Sequence, residues 1–200
     1  MSAILKASFL AGVIWMAGFA GDEHAIPWSV RIYYYAHIPE PVLLAAQAGA
    51  ARIFLEAGID VLWIRCAGSD EEFAASPHKF RECAQAPRTV IVRIEPSSLA
   101  GQTSRLPSSV AAAAEERVEI IYGRLLDFSS DQNFKPGLIL AHVMAHELGH
   151  VLLGERSHAS EGIMIPTFRN KDLYRAQRGR LLFTAKQAQR MRMRLAAVHQ

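Results

Sequence analysis

Two hundred residues, half of them apolar and a fifth charged, have the composition of an ordinary globular protein and exclude a disordered or fibrous chain. The length fits one domain with a sizeable core, and a net charge of +3 leaves any strong basic character to be sought locally. No internal repeat or separate domain is visible.

The N-terminus reads as an export signal. Lys6 is the positive charge, Ala7 to Ala20 is an apolar run, and Gly18-Phe19-Ala20 offers small residues near a cleavage point. The run is short for a membrane span, which needs about 20 residues. An uncleaved anchor that includes Ile4 and Leu5, with membrane contact through the N-terminus, is the alternative. The expectation is an exported protein, periplasmic or secreted, with 1–20 as signal peptide or anchor and 21–200 as a single domain. Val30 to Tyr35 is β-branched and aromatic and reads as a strand, broken by Pro39 and Pro41. Val42 to Ala57 reads as a helix ended by Gly58. Ile59 to Cys66 reads as a second strand, Thr89 to Ile94 as a third and Val118 to Tyr122 as a fourth, with Leu125 to Phe128 continuing or turning from it. Ser97 to Pro107 reads as a loop. Cys66 and Cys83 are the only cysteines. An even count in an exported chain suggests one disulfide, and two free thiols would suit a cytosolic one. Their spacing is not that of a metal pair.

Leu138 to Leu153 is apolar and free of proline, and Gly154 is placed to stop it. Inside this predicted helix lies His146-Glu147-Leu148-Gly149-His150. Residues four apart share a helix face, so two imidazoles can bind one metal ion without backbone strain. Histidine and glutamate in so apolar a run are costly unless they are used. A zinc-bound water has its pKa lowered to about 7, and Glu147 is placed to take its proton and pass it to a leaving amine. His142 lies one turn earlier on the same face and reads as a packing residue or a support for the ligands, since three ligands suffice and one position must stay open.

After the helix the chain runs Gly154-Glu155-Arg156-Ser157-His158, then Gly162-Ile163-Met164. This segment resembles the metzincin zinc metallopeptidases, which carry H-E-x-x-H-x-x-G-x-x-H followed by a methionine-bearing turn. His146 and His150 match the first two ligands, Glu147 the general base, Gly154 the turning glycine one residue late, and His158 the third ligand two residues late. Gly162-Ile163-Met164 resembles the Met-turn. The other readings are a solvent-exposed His158, an ordinary core Met164, and a carboxylate third ligand from Glu155, Glu161 or Asp172. Some metzincins place a tyrosine two residues after the turn's methionine, where this chain has Pro166. Tyr122 and Tyr174 are the remaining tyrosine candidates for stabilising an oxyanion.

From Arg169 onward the chain is strongly basic, with Asp172 as the one acid. Thr184 is placed to cap a last helix from Ala185 to Val198, whose Ala188, Met191, Leu195 and Val198 recur at helical spacing. The basic face reads as solvated, or as a surface for anionic lipid. No aromatics interleave with it for base stacking, so no nucleic-acid partner is expected.

The resemblance implies a metzincin-like α+β fold: a small mixed twisted sheet packed on helices, a zinc-binding helix, and a short C-terminal part with the Met-turn and a terminal helix. It implies an exported zinc metalloendopeptidase acting on peptide or protein substrates, Zn2+ as cofactor, and an edge strand near Val118 to Tyr122 aligning an extended peptide. The alternatives are a non-catalytic zinc-binding exported protein, a glutamate-ligand peptidase, and a membrane-associated protein whose basic tail matters more than its metal.

Overall fold

The computed structural model describes residues 25–85, 90–96, 111–114 and 116–198. The signal-like segment 1–20, Thr89 and the expected loop at 97–107 lie outside the described residues.

Five strands, β1 (Ile26–Tyr34), β2 (Ile59–Cys66), β3 (Val90–Glu95), β4 (Ala111–Ala114) and β5 (Arg117–Ile121), form one mixed sheet of order β2-β1-β3-β5-β4. The first four in that order are parallel, and β4 closes the edge antiparallel to β5. Seven helices accompany them among the described residues: α1 (Glu40–Leu55), α2 (Asp70–Ala75), α3 (Arg81–Gln85), α4 (Tyr122–Gln132), α5 (Pro136–Leu153), α6 (Asn170–Gln177) and α7 (Ala185–Val198).

Strand alternation decides which sheet face is buried. Val30, Ile32, Val92, Ile94, Val118 and Ile120 are fully buried, and the pairings Ile32↔Val92↔Val118 and Ile94↔Ile120 align them across the sheet. α1 and α5 pack together on this face, and Trp63 Nε1–H donates to the Gln47 carbonyl of α1 at 3.1 Å. α5 is long and apolar enough to cross a membrane, but 89% of it is buried inside the domain, which makes it the core helix of this fold. Pro136 opens it where no N–H is needed, and Gly154, at φ 97°, ends it.

On the opposite face Cys66, at the end of β2, is joined to Cys83 in α3, with a sequence separation of 17. A loop of that size predicts that reduction lowers stability by about 3 kcal/mol. Denaturant unfolding with and without reductant measures this. Two thiols alkylated without reduction, in protein from an oxidising compartment, would contradict the pairing.

Several sequence expectations change. β5 is not an edge strand, because β4 pairs along its outer side; the outermost described strand is Ala111–Ala114. The strand stops at Ile121, one residue short of the expected Tyr122, and Leu125 to Phe128 does not continue it: the segment from Tyr122 is helical. It is the start of α4, which buries Tyr122, Leu125 and Ser129 at helical spacing. The first strand and the first helix both begin earlier than expected, and Pro41 sits in the opening turn of α1. The basic C-terminal stretch holds α6 as well as α7. Thr184 caps α7: Gln187 N–H donates to Thr184 Oγ1 at 3.3 Å and Thr184 N–H to Gln187 Oε1 at 2.9 Å. Ala188, Met191 and Leu195 are buried as the spacing predicts, and the Val198 side chain lies outside the described set. The basic face is not all solvated. Arg192 donates to the Ala57 carbonyl at 2.9 Å and Arg190 to the Leu153 carbonyl at 3.3 Å, so two arginines serve carbonyls at the ends of α1 and α5.

Candidate metal centre

His146 and His150 stand one turn apart on α5, both buried, and the loop after Gly154 returns His158 beside them. Gly154 has no neighbour within 4 Å of an added Cβ, so its positive φ and not crowding calls for glycine. The returning loop is pinned by Ala159 N–H donating to the Met164 carbonyl at 2.8 Å and Ile163 N–H to the Leu182 carbonyl at 2.9 Å. Met164 is fully buried against α5 at Gly149, where an added Cβ would lie 2.6 Å from its Sδ. A side chain at position 149 would force Met164 or Phe183, whose ring would lie 2.8 Å away, to shift.

The three rings converge, with centroids 4.8 Å apart for His146 and His150, 4.6 Å for His150 and His158, and 5.4 Å for His146 and His158. Their tautomers follow from their partners. His146 Nδ1 lies 2.8 Å from the Ile163 carbonyl, which can only accept, so Nδ1 carries the hydrogen. Burial pushes the pKa of His146 down to about 3, so at neutral pH the ring is neutral and Nε2 is a bare lone pair. His150 is likewise lowered, chiefly by burial, and its Nδ1 lies 3.0 Å from Ser157 Oγ and 3.4 Å from the Gly154 carbonyl.

Nε2 of His150 is then 3.1 Å from Nε2 of His146 and 3.1 Å from Nε2 of His158. A proton could bridge the second approach. The first is bridged likewise when His150 carries its hydrogen on Nε2; with that hydrogen on Nδ1, two lone pairs face each other and a cation between them relieves the repulsion. Tetrahedral zinc with bonds of about 2.0–2.1 Å separates its nitrogen ligands by about 3.3 Å. Both 3.1 Å separations come near that value and all three donor atoms lie within 4.8 Å of one another, so the donor set suits one metal ion with a fourth position open. Among the described residues no acid joins the group. Glu155 and Glu161 are exposed, and Asp172 is buried at the start of α6, accepting the Arg169 N–H at 3.1 Å.

Glu147 follows the first histidine and is 4% exposed. Burial pushes its carboxyl up to about 7, and a cation at the three nitrogens would draw it back down. The two tyrosine candidates are elsewhere. Tyr174 packs edge-on against Phe134, with ring centroids 5.3 Å apart, ahead of the start of α5. Tyr122 is buried in the core at the start of α4.

His142 takes no part in the cluster. Its Nδ1–H donates to the Leu138 carbonyl at 2.8 Å, and its Nε2 is buried without a partner among the described residues. Burial, with a smaller push from Arg52, holds its pKa below 6.5. The folded state thus resists a proton that the unfolded chain takes up, and this contribution is present above pH 6.5 and lost as the pH falls through it. His142→Leu should gain stability relative to the parent as the pH falls below 6.5. Denaturant titrations at pH 7, 6 and 5 measure it; a difference constant over that range would contradict the assignment.

No protein-family model and no curated protein sequence matches this chain. The similarity is structural. The archaemetzincin of Methanopyrus kandleri aligns over 89% of this chain and 99% of its own, with a TM-score of 0.54 and 14% identity. A zinc-dependent peptidase of Methanocorpusculum labreanum aligns over 83% of this chain and 99% of its own, with a TM-score of 0.48 and 16% identity. The mixed sheet with its accompanying helices is thus an archaemetzincin-like fold.

Proposed function

We propose that this protein is a zinc-dependent peptidase in which Nε2 of His146, His150 and His158 hold the metal and Glu147 is the general base. The observation that carries the reading is the convergence of three imidazole nitrogens within 4.8 Å of one another, with a buried carboxyl one residue from the first. The archaemetzincin whose fold this chain resembles supports the same reading. Bound zinc supplies Lewis acidity, bringing a water's pKa to about 7 and polarising a carbonyl. Glu147 accepts the proton of the attacking water and delivers it to the departing amine. The Ile163 carbonyl keeps His146 in the tautomer that ligates. The seat of Met164 against α5 supports reading Gly162-Ile163-Met164 as a Met-turn. A substrate peptide would extend along β4, the outermost described strand, which packs on α5.

Export is part of the proposal, supported by the signal-like run behind Lys6 and by the Cys66–Cys83 disulfide. The purified chain, incubated with an unstructured protein, should generate new peptide termini by mass spectrometry, and a chelator should stop it. Intact substrate from a zinc-loaded chain would leave a zinc-binding protein without catalysis.

A further inference from the structure

The loop between α5 and His158 contains one group that the zinc reading does not use. Ser157 is half-buried, immediately before His158, and its Oγ lies 3.0 Å from His150 Nδ1. The competing acceptor, the Gly154 carbonyl, is at 3.4 Å, beyond the usual range of an N–H···O bond. The two helical histidines are therefore held differently. His146 is anchored by a main-chain carbonyl at 2.8 Å, which any residue at position 163 would supply. His150 depends on a side chain.

We infer that Ser157 is a positioning residue of the metal centre: its hydroxyl accepts the His150 Nδ1–H and so presents the His150 Nε2 lone pair to the ion. This rests on the zinc reading above. The chemistry has two parts. A neutral imidazole carries one hydrogen, and a ring with that hydrogen on Nε2 cannot ligate through Nε2. An acceptor at Nδ1 selects the ligating tautomer, fixes the ring plane, and makes Nε2 a better donor. His150 is the middle member of the cluster, within 3.1 Å of both other nitrogens, so a turned or wrongly protonated His150 disrupts both approaches. The same loop that brings in the third ligand would thus also orient the second.

The test uses the full chain with Ser157→Ala and Ser157→Thr. Ser157→Ala should weaken Zn2+ by about 10- to 100-fold in chelator competition, and should alter the visible spectrum of the Co2+-loaded protein. Ser157→Thr keeps the hydroxyl and should restore both. A purely structural role for the loop would not be rescued in this selective way. A second readout needs neither turnover nor metal: long-range 1H–15N correlation of His150 in the metal-free chain. The Nδ1–H form should dominate in the parent and in Ser157→Thr, and Nε2–H should appear in Ser157→Ala. Unchanged Zn2+ affinity and Co2+ spectrum in Ser157→Ala, or a His150 tautomer indifferent to the substitution, overturns the inference. A parent chain that binds Zn2+ but cleaves nothing would defeat the peptidase proposal and leave this one standing.

Discussion

Glu147→Gln should lower peptide hydrolysis by about 10²–10⁴-fold while leaving one zinc per chain. The magnitude is what a positioned proton-transfer group contributes, and glutamine cannot move that proton. The fold should accept the change. The Glu147 carboxyl is nearly enclosed, and burial already favours its neutral form. A neutral amide of the same shape thus places no greater demand on that pocket. Rate and metal content should separate cleanly, with turnover lost and zinc retained by elemental analysis. Full turnover in this variant would remove Glu147 from the mechanism. Loss of zinc together with turnover would make it part of the metal site.

His158→Ala should have the largest effect on the metal itself. It removes one of three nitrogens and leaves two helical imidazoles, which hold zinc too openly to orient a water. Zinc affinity should fall by more than the roughly 10- to 100-fold seen when a group outside the ligand set is lost, and hydrolysis should disappear. His158 is exposed, so the metal-free variant should unfold like the metal-free parent. That comparison separates lost ligation from lost fold. Glu155→Ala and Glu161→Ala should leave the metal unchanged. Asp172→Ala should cost about 1 kcal/mol by uncapping α6, again without touching zinc. Wild-type zinc retention in His158→Ala, with loss in Glu161→Ala, would point instead to a glutamate-ligand site.

How legible these features were in the sequence depends on how local their causes are. β2 and α7 fall at the expected bounds because their signals lie within them: β-branched and aromatic residues in one, a Thr184 cap and apolar spacing in the other. β4 is four alanines, with neither branching nor alternation, and it exists as a strand through its backbone pairing with β5. α4 and α6 were hidden for opposite reasons. Leu125-Leu126-Asp127-Phe128 looks like a short apolar run, and only the buried set Tyr122, Leu125 and Ser129 discloses a helix. α6 is mostly charged, and its evidence is the Leu173 and Ala176 spacing with Asp172 bonded back to the Arg169 N–H. At the site, His146 and His150 were readable because a helix brings i and i+4 together. His158 needed the turn at Gly154. Ser157 and the Ile163 carbonyl carried no signal, since one is a hydroxyl in a polar loop and the other a main-chain atom.

Hydrolysis by one zinc ion held by three histidines is the proposed activity. Titrating the metal-free chain with Zn2+ while following cleavage of an unstructured protein tests it most directly. Activity should rise linearly and saturate at one zinc per chain; cleavage that is already complete without metal, or absent at full occupancy, would contradict it.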